Sequence, residues 1–391
     1  MSSGRVLTRR ACLTGMAAAS TVALAMRAWA DETLADKSDP HPDPIVKRSY
    51  SARVNRLVER AVVIDMLSPL RLDLRPESYA GKLSEAEAAM FRESRVTAFH
   101  NSVGVGGPTA YEDGLSFLAG WNGFVARNSD VFMLVDTAED IERAKAAKKV
   151  VVIMGLQNAE EFRQVSDVLA FRQLGLRCAQ LTYNTQNLLG SGSTERVDGG
   201  VSDYGADIIR EMNKLGVLVD TSHCGERTTL DAIEISSGPI AITHSNCRAL
   251  NDHPRLKSDE VIRKLASKGG VIGITGVRNF VKSKEPTTVE DVVDHIDHVV
   301  KLVGIDHVGI GTDSDLLGYD RLPVEMYRQI KSGYKSSYAF RDKIDTDGFN
   351  NPDKMFSLTD ALLRRGYSEA NVLAVLGGNF RRLLGTAWSA K

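Results

Sequence analysis

The chain has 391 residues, of which 43% are hydrophobic and 25% are charged, so it is long enough to bury a large core. Its formal net charge of −1 and the lack of a basic stripe in the sequence argue against a nucleic-acid partner. The sequence has no Walker motif, and no G-x-G-x-x-G follows the first predicted strand, which argues against a nucleotide-binding fold.

The first 30 residues resemble an export signal. Arg9 and Arg10 precede a small, apolar stretch that ends in the cleavage pattern "AWA", and this stretch is too short and too rich in alanine to predict a membrane span. The paired arginines favour the twin-arginine (Tat) pathway, with an ordinary secretory signal as the alternative. We therefore expect a periplasmic or secreted protein with no membrane span in its mature form. Residues 31–51 are polar and predict a lead-in without a core pattern.

From residue 52 onward, apolar runs alternate with helical patterns. Nine runs predict strands, at 61–65, 96–103, 130–136, 149–156, 176–183, 216–223, 239–245, 269–276 and 307–313. Helices are predicted at 52–60, 83–95, 138–147, 159–173, 203–215, 226–236, 258–268, 287–303, 357–365 and 368–385. Ser84 and Glu87 have the spacing of a capping box at the start of the second helix.

Short runs rich in Val and Ile are typical of strands that are buried on both faces of a parallel sheet, and their alternation with helices indicates an α/β fold. We predict a single (β/α)8 barrel over residues 52–391, with an open, doubly wound sheet as the alternative. Because a closed barrel needs eight strands, one of the nine predicted strands must be peripheral, and we expect this of residues 130–136.

Several predicted strands end in polar residues, in the stretches "GLQN" (155–158), "LTYN" (181–184), "VDTSH" (219–223), "ITHS" (242–245) and "GTDSD" (311–315). In a (β/α)8 barrel these ends converge on the C-terminal mouth, so the pattern predicts one polar cavity. The loop-rich stretches 187–202 and 314–352 are candidates for a lid over it.

Four side chains at or near these strand ends could carry chemistry. His223 and His244 close consecutive strands, and two neutral imidazoles in one mouth would suit zinc; the alternative is two unrelated histidines that cap strand ends. Asp313 could take a proton from an activated water and deliver it to a leaving amine, although an aspartate here can also cap a turn. Arg255 could clamp a carboxylate, or it could lie on the surface.

The stretch "MNKLGVLVDTSHCGERTTLDAIEISSGPIAITHSNCRALNDHPR" resembles the membrane (renal) dipeptidase family, peptidase family M19, as do "GGVIGITG", "HVGIGTDSD" and "LGGNFRRLL". The resemblance implies a TIM-like barrel of the metal-dependent, amidohydrolase-like type, in which two zinc ions serve the hydrolysis of dipeptides. It also implies roles by position. His223 and His244 match the histidines of the second zinc, Asp313 matches the proton-handling aspartate, and Arg255 matches the residue that holds the substrate carboxylate.

Other positions depart from the pattern of the family. Leu67 and Pro69 stand where the resemblance places a His and an Asp on the first zinc, and Gln157 stands in place of the bridging glutamate. Tyr183 stands in place of a histidine that contacts substrate. Because two dications need a carboxylate between them, we expect at most one zinc.

The ligands that would complete a one-zinc site are left open. Candidates beside the two histidines are water and the side chains of Gln157, Asp313, Asp65, Cys224 and Cys247. Three cysteines remain after the signal, at 178, 224 and 247, which argues against a disulfide framework but leaves one bridge and one free thiol open.

We predict an exported dipeptidase-like metallohydrolase that cleaves dipeptides or related small amides with one metal, and in which Arg255, Tyr183 and Gln157 contact the substrate. The first alternative is a divergent member of the family that binds or converts another small amino-acid-like or peptide-like molecule. The second is a metal-free binding protein. A monomer and a homodimer are both open.

Overall fold

The structure, a computed structural model, describes residues 49–72, 76–104, 106–349 and 351–389. The predicted export signal at 1–30 and nearly all of the predicted lead-in at 31–51 lie outside the described residues. Among the described residues, no helix is both long enough and apolar enough to cross a membrane.

Nine strands form one sheet in which every pairing is parallel: β1 (Ile64–Asp65), β2 (Ala98–Val103), β3 (Phe132–Leu134), β4 (Val150–Leu156), β5 (Leu176–Gln180), β6 (Leu218–Asp220), β7 (Ala241–Ser245), β8 (Val271–Ile274) and β9 (Val308–Ile310). Strand β1 pairs with both β2 and β9, and β2 pairs with β4, which closes eight strands into a ring. Among the described strands β3 pairs with β4 alone, so it lies outside the ring. The predicted TIM-like (β/α)8 barrel of the amidohydrolase-like type and the peripheral position of 130–136 are confirmed.

Fourteen α-helices are described: α1 (Ala52–Arg60), α2 (Glu85–Ser94), α3 (Ala110–Arg127), α4 (Glu139–Ala146), α5 (Asp167–Gln173), α6 (Asp203–Leu215), α7 (Glu226–Ile235), α8 (Asp259–Ser267), α9 (Arg278–Val281), α10 (Val289–Val303), α11 (Val324–Ser332), α12 (Lys354–Arg364), α13 (Glu369–Leu373) and α14 (Asn379–Ala387). The predicted capping box of Ser84 and Glu87 is present at the start of α2. Helices α3, α9 and α11 were not predicted. In α3, three glycines weaken the helical pattern, and burial of Trp121 and Phe124 compensates.

Two apolar layers hold the barrel together. The interior is filled from alternate strand positions, including Ile64, Ala98, Val151, Cys178 and Leu218, and Phe380 of α14 belongs to the same cluster. A larger cluster joins the outward-facing strand residues to the surrounding helices. The polar residues at the C-terminal ends of the strands therefore lie beyond this apolar interior, at the mouth of the barrel.

The C-terminal "LGGNFRRLL" stretch packs directly onto the barrel. Residues Ala374–Gly378 form a short π-helical segment between α13 and α14. A Cβ atom at Gly377 would lie 2.1 Å from the carbonyl oxygen of Val62, so only glycine allows the backbone to approach the start of β1 this closely.

Candidate metal and substrate site

His223 and His244 lie together at the barrel mouth. Both side chains are buried, and their Nε2 atoms are 2.9 Å apart. The ring centroids are 4.9 Å apart, and the ring planes are inclined by 58°. The two histidines that the sequence placed on consecutive strand ends thus point their outer nitrogens at each other.

The inner nitrogens of both rings are hydrogen-bonded. The Nδ1 atom of His223 lies 2.8 Å from Oδ1 of Asn184, and the Nδ1 atom of His244 lies 2.8 Å from Oγ1 of Thr243. The Thr243 hydroxyl in turn donates to Oδ2 of Asp220 over 2.7 Å. Burial, with a further contribution from the nearby Arg255 guanidinium, lowers the pKa of both imidazoles well below its usual range. Neutral imidazoles are the form that binds metals.

Asp313 stands on the same side of the barrel, directly after β9. Its backbone N–H donates to the carbonyl oxygen of Leu67 over 2.8 Å, and its φ of +57° is unusual for an aspartate outside a tight turn. Burial raises the pKa of its carboxyl to about 7, which the charge of Arg255 partly opposes and that of Asp65 reinforces. A carboxyl with this pKa is half ionised near neutral pH, which suits proton transfer.

Arg255 is fully buried beneath the mouth. Its Nη1 donates to the carbonyl oxygen of Ser222, its Nη2 donates to that of His244 over 3.4 Å, and its Nε donates to the hydroxyl of Tyr338 over 3.1 Å. Among the described residues, the hydrogen bonds of the guanidinium go to carbonyl and hydroxyl oxygens, and none goes to a carboxylate. The charge of Arg255 is therefore solvated by neutral oxygens without a close counter-ion.

Three tyrosine side chains lie close together at the barrel mouth. Tyr183 stacks on the ring of His223, with centroids 4.2 Å apart, and its hydroxyl lies 2.7 Å from that of Tyr334. Tyr338 is buried beside Tyr334, with ring centroids 4.5 Å apart. Both Tyr334 and Tyr338 come from residues 319–345, here called the lid segment, which includes α11.

The two stretches predicted as lids both reach the site. The lid segment is held by a small apolar cluster that contains Leu256, Val277, Phe280, Tyr338 and Ile344. In the 187–202 stretch, the backbone N–H of Ser193 donates to the carbonyl oxygen of His223 over 2.8 Å. The two stretches meet where Lys335 Nζ donates to the carbonyl oxygen of Thr194 over 2.9 Å.

The other predicted site residues have different surroundings. Gln157 follows β4, and its backbone carbonyl accepts a hydrogen bond from Nε2 of Gln180, whose Oε1 accepts one from the backbone N–H of His223. The side chain of Asp65 is hydrogen-bonded to Thr312, which lies just after β9. Its Oδ1 accepts from the backbone N–H of Thr312 over 2.8 Å, and its Oδ2 accepts from the Thr312 hydroxyl over 2.6 Å.

The cysteines have neighbours of their own. Cys178, Cys224 and Cys247 are buried free thiols, so none of them forms the disulfide that the sequence left open. The Thr182 hydroxyl donates to Sγ of Cys224, and Sγ of Cys247 donates to a backbone carbonyl of α10. In the part of the chain that the structure describes, no group of three or more His, Cys, Asp or Glu side chains is arranged to hold a metal ion.

Several residues of the site were not singled out from the sequence. Asn184 and Asp220 lie within the polar strand-end stretches, but nothing in their spacing marked them as partners of the two histidines. Tyr334 and Tyr338 lie in a stretch without a strand or a recognised motif, so only the folded chain brings them to the mouth.

The closed parallel barrel, with a histidine pair and a buried aspartate at its C-terminal mouth, has the architecture of the amidohydrolase-like class of (β/α)8 barrels. The family model of membrane dipeptidases, peptidase family M19, matches residues 51–330. The chain therefore belongs to the membrane dipeptidase family, which is a family of metallopeptidases.

Individual relatives agree with this assignment. The chain is 31% identical over 260 residues to dipeptidase tcpJ of Claviceps purpurea, covering 66% of this chain and 55% of the relative. It is 28% identical over 263 residues to dipeptidase verJ of Clonostachys rogersoniana, covering 66% of this chain and 61% of the relative. The chain thus spans a little over half of the length of these relatives. Among solved structures, an amidohydrolase from Pseudomonas aeruginosa superposes with a TM-score of 0.74 at 30% identity, covering 86% of this chain and 99% of that one.

Proposed function

We propose that this protein is an exported metallohydrolase that cleaves dipeptides or related small amides with one metal ion. The observation that carries the proposal is the pair of Nε2 atoms of His223 and His244, which face each other at 2.9 Å from neutral rings. Two nitrogen ligands of a tetrahedral zinc ion, with Zn–N bonds of about 2.0–2.1 Å, lie about 3.3 Å apart. A small outward shift of the rings would satisfy that geometry, so the pair would supply two of the four ligands of one zinc ion.

A second metal is not part of the proposal. No third His, Cys, Asp or Glu side chain joins the two histidines in the described part of the chain. Gln157 is neutral and cannot balance two dications, and the buried side chain of Leu67 has no atom that can bind a metal. His223 and His244 would hold the single ion, with water completing its coordination. When bound, the ion supplies Lewis-acid activation of the attacking water.

Arg255 is proposed to bind the carboxylate of the substrate. A buried guanidinium without a close counter-ion is costly, and an incoming carboxylate would remove that cost. Three of its five N–H groups are used by carbonyl and hydroxyl oxygens, which leaves donors for a ligand. The Tyr338 hydroxyl accepts the hydrogen bond from Nε of Arg255, so a substrate carboxylate that approached Nε would compete with Tyr338.

Asp313 is proposed to move the proton. Its pKa of about 7 places it between its two protonation states under ordinary assay conditions. As a carboxylate it would accept a proton from the attacking water, and as a carboxylic acid it would return that proton to the departing amine. Gln157 and Tyr183 would contact the remainder of the substrate.

The alternative is a family member that binds or converts another small amino-acid-like or peptide-like molecule. The hydrogen bond between the hydroxyls of Tyr183 and Tyr334 favours this reading, because it closes the mouth next to His223. On this alternative, the substrate differs in shape from a dipeptide and fits beside the tyrosine pair.

The test combines metal content with activity. Purified mature protein should contain one zinc ion per chain and hydrolyse members of a dipeptide panel, while His223→Ala should lose both. Two tightly bound ions would refute the one-metal proposal, and one ion without hydrolysis of any dipeptide would favour the alternative. Export is tested by fractionating cells that express the full chain and its Arg9→Lys/Arg10→Lys variant. Retention of the variant in the cytoplasm supports the Tat pathway.

A further inference from the structure

The lid segment is attached to the barrel through very little buried surface. Among its described residues, none in α11 is buried, and Tyr338 is the one buried residue between positions 321 and 343. The two ends of the segment are bonded to each other, because the backbone N–H of Asp320 donates to Oδ2 of Asp345 over 2.7 Å. A segment with joined ends and so little buried surface can open locally at a small fraction of the cost of global unfolding.

Tyr338 is the residue through which the lid segment enters the site. Its backbone carbonyl accepts from Nε2 of His253 over 2.9 Å and from Nδ2 of Asn279 over 2.6 Å. Its hydroxyl accepts from Nε of Arg255 over 3.1 Å and from Nδ2 of Asn184 over 3.3 Å. Side chains of the barrel thus hold both the backbone and the hydroxyl of one lid residue.

The Tyr338 hydroxyl lies where an oxygen of a ligand carboxylate would lie on Arg255. The guanidinium is fully buried, and its Cζ lies 5.3 Å from the ring centre of Phe280. A ligand from solvent therefore reaches Arg255 only after the side chains over it have moved. Once they have, a carboxylate is a better acceptor than the hydroxyl, because it adds a second charge to the hydrogen bond and can accept from two N–H groups at once.

Two further contacts, here called the latches, join the lid segment to the chain that follows β5. The Tyr334 hydroxyl lies 2.7 Å from that of Tyr183, and Nζ of Lys335 donates to the carbonyl oxygen of Thr194 over 2.9 Å. Neither latch involves Arg255. Breaking one of them should therefore make opening easier without altering the guanidinium or its partners.

We propose that the lid segment is autoinhibitory: in the closed form Tyr338 occupies the carboxylate site of Arg255, and a ligand carboxylate takes its place when the lid opens. This inference deepens the proposed function and rests on the carboxylate role of Arg255 in it, but on no metal ion. The apparent affinity for a carboxylate then equals the intrinsic affinity multiplied by the fraction of open molecules. Any change that loosens the closed form should raise that affinity.

Opening is measured by the reaction of Arg255 with phenylglyoxal, which is quantified by peptide mass spectrometry of the purified protein. Arg278 is the internal reference, because it is also buried but is bonded to Glu285 and Asp347 at the base of the lid, where only global unfolding should release it. In the wild type, Arg255 should react faster than Arg278 and much more slowly than the exposed Arg196.

Variants of the latches change the opening alone. Tyr334→Phe should speed the reaction of Arg255 by about 2- to 12-fold, which is the effect of losing one hydrogen bond of ordinary strength. Lys335→Met should act in the same direction by about 2-fold, because its bond is exposed to water. Lys343→Met, at an exposed lysine of the same segment, is the matched control and should change nothing. The reaction of Arg278 should stay as in the wild type throughout.

The ligand measurements use N-acetylalanine, which carries a carboxylate, and N-acetylalaninamide, which does not, in calorimetric titrations. Tyr334→Phe should tighten the binding of N-acetylalanine by the same factor by which it speeds the reaction of Arg255, because both follow the fraction of open molecules. Tyr338→Phe should also tighten it, since the new side chain cannot accept from Arg255. The amide should bind weakly to every variant.

The outcomes separate this inference from the proposed function. Equal rates for Arg255 and Arg278, or unchanged rates in both latch variants, overturn it. Weaker binding of N-acetylalanine by Tyr338→Phe also overturns it, because the hydroxyl would then be a ligand contact instead of a competitor. If N-acetylalanine binds no better than its amide, the displacement of Tyr338 is overturned together with the carboxylate role of Arg255.

A protein without zinc or without dipeptide hydrolysis would count against the proposed function, but it would leave each of these measurements in force. If Tyr338→Phe does not fold, Tyr334→Phe and Lys335→Met carry the test, since both change side chains that are not fully buried.

Discussion

Asp313→Asn separates the cost of burying a carboxyl from its use in proton transfer. The Asp313 carboxyl has a pKa of about 7 in the folded chain against an ordinary 3.8, because burial outweighs the attraction of the Arg255 guanidinium. An amide of the same shape has no charge to bury. The substitution should therefore change stability and activity in opposite directions.

The stability effect has a definite sign. Between pH about 4 and about 7, the folded chain holds the Asp313 proton while the unfolded chain has released it, so rising pH favours unfolding through this range and has no further effect above it. One pKa unit corresponds to about 1.4 kcal/mol, which gives an upper limit of about 4 kcal/mol for the raised pKa of Asp313. The free energy of unfolding of Asp313→Asn, measured relative to that of the wild type, should therefore increase by up to this amount between pH 4 and pH 8.

The assay is urea unfolding of the metal-free proteins at a series of pH values, because a bound dication would shift the titration of Asp313. Asp342→Asn, at an exposed aspartate of the lid segment, is the control. In parallel, kcat/KM of the metal-bound wild type on a dipeptide should rise with pH until Asp313 is ionised, at a pH below the value of about 7 for the metal-free protein, because a dication favours the carboxylate. Asp313→Asn should lower kcat by about 10²–10⁴-fold. A stability difference from the wild type that does not vary with pH, or activity within a few-fold of the wild type, would refute the reasoning.

Three further predictions test other parts of the site. Arg255→Met should lower kcat/KM for dipeptides by about 30-fold or more, since truncating one partner of a buried charged pair costs about 2–5 kcal/mol, and should affect dipeptide amides much less; equal losses on both would contradict the carboxylate contact. Gly155→Ala should destabilise the chain by about 1–3 kcal/mol or more, because its Cβ would lie 1.7 Å from Nε2 of His100; His100→Ala in the same chain should relieve the clash, and additive unfolding energies would contradict it. Tyr183→Phe and Tyr334→Phe should each cost about 0.5–1.5 kcal/mol in urea unfolding, and the double variant little more than either single one, because both remove the same hydrogen bond; fully additive losses would show otherwise.

The sequence predicted the barrel because its signals are local and repeated. Apolar runs bounded by helices recur along the chain, and parallel strands in a barrel place their C-terminal ends at one mouth. His223 follows β6 and His244 lies near the end of the neighbouring strand β7, so the fold alone brings their rings together. For these two histidines, the order of the strands and the position of each residue near a strand end are enough to predict that the side chains meet.

Residues that reach the site from loops were not predictable in this way. Tyr334 and Tyr338 lie beyond β9 in the lid segment, whose course is fixed by packing against Val277 and Phe280 instead of by a periodic pattern. Asn184 adopts a φ of +63° just beyond β5, and its contact with His223 depends on that turn. Hydrogen-bond partners of this kind are set by backbone turns that no alternation of polar and apolar residues encodes.

The turn "IDMLSP" after β1 explains why the altered site can remain structurally coherent. The resemblance to the family places metal ligands at Leu67 and Pro69, yet here the Leu67 side chain is buried, and its backbone carbonyl accepts the N–H of Asp313. Asp65 ties the same turn to Thr312, directly before Asp313. The turn therefore holds the proposed proton-transfer residue by contacts that do not depend on the side chains at positions 67 and 69. Returning a single histidine to position 67 would bury an imidazole without the carboxylates that a second dication requires, so one substitution should not restore a two-metal site.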